Sequence, residues 1–341
     1  MLLILRSWPI FIYAITISVE SILIEPLTTT FGLPPIVISA VSITLAGILL
    51  LFTGNLLNKR KKTATSIPRT IPIFSKSKRN LLYASICLAV GIFTWYDSIS
   101  RVGASKEVLI AGPLEIIIIV ILAYIFLGEK LDKVHVTGIM VAIIGFILAV
   151  ASDINYVRPD LFSSLSMYSI VRFGDIEAII SAVGFAVGVL FLTKLVLIHS
   201  PVQVAGASLF VSGMILICFL VVFVSVFQHQ APPLSEISMP LYPMVIIALL
   251  LFSWLPFIGA LSYSIGLRRV GAALTGTIGS SSIFLTLVFQ LILKEVGILD
   301  SNLPENVLLA GLGSVFGFLG IFIMHMHDYD YDINLGKVDR K

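Results

Sequence analysis

The feature that most constrains the fold is a series of ten apolar runs, separated from one another by polar residues. About twenty apolar residues in a helix cover roughly 30 Å of hydrocarbon. Because 58% of the 341 residues are hydrophobic and only 12% are charged, lipid must be the main solvent of this chain. The sequence therefore predicts an all-α membrane protein with ten transmembrane helices. The predicted helices cover residues 7–28, 34–57, 80–99, 103–127, 134–151, 176–197, 202–227, 243–266, 270–293 and 306–326.

Positive charge is concentrated between the second and third predicted helices, in a basic loop over residues 58–79. Cytoplasmic loops of membrane proteins retain Lys and Arg, so this loop and an even number of helices predict that both termini are cytoplasmic. The loop has no interleaved aromatic platform for bases, which favours a topology determinant in contact with anionic lipid over a nucleic-acid site. Its basic residues are Lys59, Arg60, Lys61, Lys62, Arg69, Lys76, Lys78 and Arg79.

Short motifs recur in the same order in the two halves of the chain. Each copy of the first motif follows an aromatic residue and precedes an apolar helix. The pairs are Arg101-Val102-Gly103-Ala104 with Arg269-Val270-Gly271-Ala272, Leu127-Gly128-Glu129 with Leu293-Lys294-Glu295, and Ile144-Gly145-Phe146 with Phe316-Gly317-Phe318. We interpret these matches as an internal repeat of five helices.

A five-helix unit crosses the membrane an odd number of times, so its copy must begin on the opposite side and the two repeats are inverted. The predicted organisation is a first repeat over 1–151, an outer linker over 152–175, a second repeat over 176–327 and a cytoplasmic tail over 328–341. Transporters with this symmetry bind their substrates near the membrane midplane, between the repeats. Here that site would lie between predicted helices 1, 3, 4, 6, 8 and 9. A repeat that is only an inherited packing arrangement is the alternative.

These motifs resemble those of the drug/metabolite transporter superfamily, specifically its ten-helix EamA-like transporters. The resemblance implies an exporter or exchanger of metabolites in the cell membrane, with both termini inside. The small multidrug transporters of the same superfamily are similar in having a functional glutamate in the first helix. The resemblance is carried by Pro113-Leu114, Leu127-Gly128-Glu129-Lys130-Leu131, Thr137-Gly138, Ile144-Gly145, the segment from Gly174-Asp175 to Lys194 and the segment from Arg269 to Phe318.

Two glutamates inside apolar runs are the main candidates for chemistry. Ionisable groups at the centre of a bilayer are unfavourable, by about 2.5–3.5 kcal/mol on insertion scales, and usually have a function or a partner. Glu115 lies near the middle of the fourth predicted helix, just after Pro113, which leaves a backbone carbonyl without its helical donor. Glu20 lies in the first predicted helix. Either carboxyl group could exchange a proton for a substrate or cation, or could simply be protonated and hydrogen-bonded to a neighbouring helix.

Aromatic and hydroxyl side chains are further candidates for binding a substrate. Trp95, Tyr96 and Asp97 are predicted near the mouth of a cavity, with Tyr263 as their counterpart on the inner side, although an aromatic belt at the membrane surface explains them equally well. Ser280, Ser281 and Ser282 occupy the equivalent of the Gly112-Pro113 region, where they would either bind a substrate or serve as small packing residues. Four other charged residues are expected to reach water from helix ends. They are Glu25, Lys106, Glu107 and Glu295.

Several functions are disfavoured by the absence of their motifs. The sequence has no phosphate-binding glycine loop for an ATP-driven motor and no Gly-x-Ser-x-Gly or His-Glu-x-x-His pattern for hydrolysis. We therefore predict no metal site, no cofactor and no nucleic-acid partner, only a small-molecule substrate and the lipid bilayer. The main hypothesis is a secondary transporter, driven by its substrate gradient or by protons. A membrane-embedded enzyme that uses intramembrane carboxylates and a receptor-like scaffold are the alternatives, and both a monomer and a homodimer are compatible with the sequence.

Overall fold

The apolar runs of the sequence form helices, because a chain in lipid must satisfy its own backbone hydrogen bonds. The computed structural model describes residues 2–62, 77–127, 133–152, 173–227, 242–298 and 303–338. These ranges contain no strands, which confirms the predicted all-α class. The helices are α1 Leu2–Thr29, α2 Pro35–Lys62, α3 Lys78–Val102, α4 Ala104–Leu127, α5 Lys133–Ala151, α6 Phe173–Ile198, α7 Pro201–Phe227, α8 Tyr242–Phe252, α9 Trp254–Gly279, α10 Ser281–Glu295 and α11 Val307–Val338.

Seven of the described helical stretches are long and apolar enough to cross a membrane. One of them, Pro243–Arg269, combines α8 with the first part of α9. A shorter apolar stretch, Val307–Ile323, lies in α11. The protein is therefore a multi-pass membrane protein, and the number of ten crossings stays a prediction.

Two of the predicted helices are interrupted by turns. The eighth predicted helix is interrupted by a turn at Ser253, whose hydroxyl donates to the Leu250 carbonyl at 2.7 Å. The ninth is interrupted at Ser280, beside a hydrogen bond of 2.7 Å from the Ser281 hydroxyl to the Ile278 carbonyl. Serine hydroxyls that bond to the nearby backbone compete with the regular helix in this way.

The last helix also extends further than predicted. It continues to Val338, so most of the predicted tail over 328–341 is helical, and no proline interrupts this part of the chain. At the other predicted connections, α2 continues into the basic loop as far as Lys62. Residues 63–76 of that loop and 153–172 of the predicted linker lie outside the described residues.

The chain reverses direction within α9. A methyl group built on Gly266 would lie 3.2 Å from Thr275 Cγ2. In a straight helix, with its rise of 1.5 Å per residue, these two positions would be about 13 Å apart. The segment around Arg268 and Arg269 is therefore a tight connection between two helical parts, which is where the sequence analysis placed the end of one helix and the start of the next.

Helix packing follows a regular pattern across the two halves of the chain. The most extensive contacts are those of α3 with α6, α5 with α11, α2 with α7 and α1 with α9. If the predicted halves are exchanged, the α2–α7 and α5–α11 pairs map onto themselves, and the α3–α6 pair maps onto the α1–α9 pair. A two-fold axis between the halves would produce this pattern.

Glycines at two of these interfaces make reciprocal contacts. A methyl group on Gly47 of α2 would lie 2.7 Å from Phe210 Cα of α7, and one on Gly213 would lie 2.8 Å from Thr44 Cα. Gly47 follows Pro35 at the same spacing as Gly213 follows Pro201, and Thr44 and Phe210 are likewise at equivalent positions. The contact of Gly47 with Phe210 is therefore equivalent to the contact of Gly213 with Thr44. Such reciprocity is typical of contacts across a two-fold axis.

The second interface joins the two copies of a sequence motif. A methyl group on Gly145 of α5 would lie 2.8 Å from Gly317 Cα of α11, so the two central glycines of the repeated Ile-Gly-Phe and Phe-Gly-Phe motifs lie against each other. Small residues allow helix backbones in membranes to approach this closely. The boundary between the repeats near residue 151 nevertheless stays a prediction.

Candidate functional site

A cavity of about 170 Å³ lies inside the helical bundle. A single water needs only about 10–15 Å³ measured in this way, so the space is sufficient for a small organic molecule. Residues of α1, α2, α3, α4, α6, α7, α9 and α10 line it. Its wall is largely apolar and carries a few polar side chains, which is the usual composition of small-molecule sites.

Three carboxyl groups face this cavity. Glu20 comes from α1, whereas Glu107 and Glu115 both come from α4, with Ala111 between them on the same wall. Residues four apart lie on the same face of a helix, so α4 presents both of its carboxyl groups to the cavity. All lining residues belong to the described ranges, and none of them is Lys or Arg.

Glu20 is held in place by a neighbouring tyrosine. Tyr96 of α3 donates its phenolic hydrogen to Glu20 Oε1 at 2.6 Å. Tyr96 is completely buried and Glu20 is only 1% exposed. Tyr96 therefore positions the carboxyl group and does not itself line the cavity, contrary to the expectation that it lies at the cavity mouth.

Glu107 is positioned from two other helices. The Ser181 hydroxyl of α6 donates to Glu107 Oε1 at 3.2 Å. Trp95 of α3 also interacts with this carboxyl group and lines the cavity beside it. Glu107 thus links the aromatic wall formed by α3 to the first turns of α6.

Two tyrosines lie opposite these groups. Tyr13 of α1 and Tyr263 of α9 have their ring centroids 4.8 Å apart, with an angle of 48° between the ring planes. Both line the cavity together with Glu115. Tyr263, a predicted site residue, and Tyr13 thus both line the cavity.

The remaining predicted site residues are divided between the cavity and the surrounding packing. Ser282 lines the cavity, whereas the Ser281 hydroxyl bonds to its own helix backbone and Ser280 is buried at the turn. Pro113 lies against Gly317 of α11. Asp97 forms an ion pair with Arg101 at 2.9 Å. Pro113 and Asp97 are not among the residues that line the cavity.

One end of the bundle is closed by buried polar contacts, and we call it the Lys106 end. Lys106 Nζ of α4 lies 2.9 Å from Asp175 Oδ1 of α6, and both side chains are at most 2% exposed. Gln290 of α10 donates to Glu25 Oε2 of α1 at 2.9 Å and accepts a hydrogen bond from Ser105. These contacts join α1, α4, α6 and α10 directly beside the cavity wall at Glu107.

The expectation that Glu25, Lys106 and Glu107 reach water from helix ends is wrong. The three residues are at most 3% exposed, because neighbouring helices cover the ends on which they lie. Lys106 also sits in the first turn of α4, where the helix dipole disfavours a positive charge. The nearby Asp175 carboxylate compensates for this position. Glu295, in contrast, is exposed as expected.

Sequence analysis missed Tyr13 and Glu107 as residues of the cavity. A usable indication for Glu107 was its spacing of two helical turns from Glu115, which places both on one face of α4. The buried ion pair also had an indication in the sequence. Lys106 and Asp175 each lie in the first turn of a helix, and both of these helices are predicted to start on the outer side of the membrane. No comparable feature of the sequence distinguishes Tyr13.

A helical membrane bundle built around a cavity with polar groups is the general architecture of membrane carriers. The family model of the EamA-like transporter family matches residues 8–151. This match covers fewer than half of the residues of the chain and confirms, over that part, the resemblance noted in the sequence. It indicates a membrane transporter of small molecules.

Solved structures support the fold. One solved structure, titled "Crystal structure of protein", is similar to this chain, with a TM-score of 0.61 and 16% sequence identity. The match covers 94% of this chain and 99% of the other chain. At this identity the likeness shows the fold alone. No curated protein matches the chain.

Proposed function

We propose that the protein is a secondary transporter that exports or exchanges small organic metabolites across the cell membrane by alternating access. The observation that carries this proposal is the central cavity, whose three carboxyl groups lie between helices from both halves of the chain. The proposal includes the two inverted repeats, since exchanging the halves preserves the main helix pairs. Rocking one repeat against the other would expose such a cavity to each side in turn.

The cavity extends away from the Lys106 end. Its wall reaches Leu192 and Ala205, close to the point where α6 ends at Ile198 and α7 begins at Pro201. We call this the Pro201 end. In the proposed orientation, with both termini cytoplasmic, the Pro201 end faces the cytoplasm. The conformation described here is then the inward-facing one, in which the buried contacts of the Lys106 end act as the closed outer gate.

In this proposal Glu115 is the group that couples transport to protons. Along α4, Glu115 lies further from the Lys106 end than Glu107 does, and it lines the same cavity as Tyr13 and Tyr263. A carboxyl group at this place can carry a proton in one access state and a substrate in the other. Glu20, whose geometry is fixed by Tyr96, is the second group of this kind.

Replacement of Glu115 by glutamine is expected to abolish uptake driven by a pH gradient, because the amide cannot release a proton. The substrate is first found by a thermal-shift screen of amines, amino acids, nucleosides and sugars, and uptake is then measured in proteoliposomes. Exchange of labelled for unlabelled substrate should persist in the variant at saturating substrate concentrations, since it requires no net movement of protons. The matched control is Glu295→Gln, at the exposed end of α10. Unchanged uptake by Glu115→Gln under a pH gradient would contradict the proposed coupling.

A further inference from the structure

We infer that the central cavity binds an organic cation, either an amine or a quaternary ammonium compound. The inference rests on the proposed transport function for its biological meaning and adds the chemical class of the substrate. It depends on three features of the cavity: the sign of the charges on its wall, the aromatic rings beside them and the absence of a suitable arrangement for a bare metal ion.

The ionisable side chains that line the cavity are of one kind. Glu20, Glu107 and Glu115 are carboxylic acids, and no Lys or Arg accompanies them among the described lining residues. Lys106, next to Glu107 in the chain, is paired with Asp175 of α6. When one of these carboxyl groups is ionised, a positively charged ligand supplies an opposite charge that no described lining residue offers, whereas an anionic ligand would be repelled in a medium that strengthens the interaction.

Aromatic rings surround the same space. Tyr13 and Tyr263 form a tilted pair on one side, and Trp95 lines the wall near Glu107. The faces of aromatic rings attract cations, and recognition of quaternary ammonium groups commonly uses several aromatic rings. A neutral sugar, in contrast, would need many hydrogen-bonding groups, and most of this wall is apolar.

A metal ion fits the cavity less well than an organic cation. Among the residues whose positions are described, no group of three or more His, Cys, Asp or Glu side chains is close enough together to hold a metal ion. The three carboxyl groups are instead spread over α1 and two turns of α4. This spacing favours a ligand that extends over several atoms and contacts different carboxyl groups and rings.

Matched probes of different charge test the inference. Choline and 3,3-dimethylbutan-1-ol have nearly the same shape, but one is a cation and the other is neutral, and glycine betaine adds a carboxylate to the same ammonium group. Binding to the full-length protein in detergent is measured by calorimetry, with benzyltrimethylammonium as a larger aromatic cation. We expect at least one of the two cations to bind, and to bind more tightly than the alcohol or betaine by about ten-fold or more.

Variants of the wall locate the binding. Glu115→Gln and Tyr263→Leu should each weaken binding of the cation by about ten-fold, and Tyr263→Phe should weaken it less than Tyr263→Leu because it keeps the ring. Glu295→Gln serves as the control with unchanged affinity. Thermal unfolding of each variant shows whether it is folded, and Glu115→Asp, which keeps a carboxyl group, should lose less affinity than Glu115→Gln.

The outcomes separate this inference from the proposed function. The organic-cation site would be overturned if neither cation binds, whether or not the alcohol or betaine does. It would also be overturned if a cation binds but the wall variants leave its affinity unchanged. Flux of a neutral or anionic substrate in proteoliposomes would then leave the transport function standing. Conversely, cations that bind in detergent but do not cross proteoliposome membranes through the protein would support the site and contradict transport.

Discussion

Lys106→Met is expected to destabilise the protein by about 3–5 kcal/mol, because removing one partner of a buried ion pair leaves the other charge uncompensated. Asp175 is no more than 2% exposed and lies 2.9 Å from the Lys106 ammonium group. Methionine keeps most of the length of the lysine side chain, so the loss reports the charge and not the volume. The free energy of unfolding is measured by titration with denaturing detergent in mixed micelles.

The double variant Lys106→Met/Asp175→Leu separates the pair from its surroundings. Replacing both partners of a buried ion pair with apolar residues is often nearly neutral, so the double variant should recover much of the stability lost in the single one. Lys194→Met, at an exposed position of α6, is the control for the lysine-to-methionine change itself. A single variant as stable as this control, or a double variant less stable than the single one, would show that the pair does not stabilise the bundle.

Gly47→Ala is expected to destabilise the bundle by about 3 kcal/mol, because the added methyl group would overlap backbone atoms of another helix. That methyl group would lie 2.7 Å from Phe210 Cα, and backbone cannot move aside as a flexible side chain can. The reciprocal variant Gly213→Ala meets the backbone of Thr44 and should have a similar effect. Thermal unfolding in detergent provides the measurement.

Gly54→Ala is the matched control, since it lies on the same helix and its methyl group would make only an ordinary contact at 3.5 Å with Val202. Alanine is also the better helix former, so this variant should be at least as stable as the wild type. If Gly47→Ala and Gly54→Ala were equally stable, the close approach of α2 and α7 would be incorrect.

Much of the helical architecture follows from the sequence, because the length of an apolar run and the bilayer thickness together set where a helix can span. Gly145 and Gly317, the central glycines of a repeated motif, lie against each other, a contact that the motif itself did not predict. The turns at Ser253 and Ser280 were missed, since a serine within an apolar run is compatible with a regular helix. The local hydroxyl bonds to the backbone at these turns do not distinguish them either, because Ser42 and Ser208 make the same kind of bond inside uninterrupted helices.

The candidate site was predictable where a single residue was unusual for its place in the chain. Glu20 and Glu115 lie in apolar runs, and both line the cavity. Glu107 and Lys106 were misjudged because a position near a helix end is compatible with either water or burial. Burial there depends on how α3, α4 and α6 converge, and contacts between residues so distant in sequence cannot be derived from local pattern.

Labelling of a cavity cysteine from each side of the membrane tests the account most directly. Cys87 and Cys218 are first replaced by alanine, and Ala260, which lines the cavity, is replaced by cysteine. A maleimide that cannot cross membranes is then applied to the Lys106 end or to the Pro201 end in proteoliposomes of known orientation. We expect labelling from both ends, and adding Lys106→Met should raise the rate from the Lys106 end while lowering it from the Pro201 end. Rates that rise together at both ends, or a cysteine that is never labelled from the Lys106 end, would contradict alternating access.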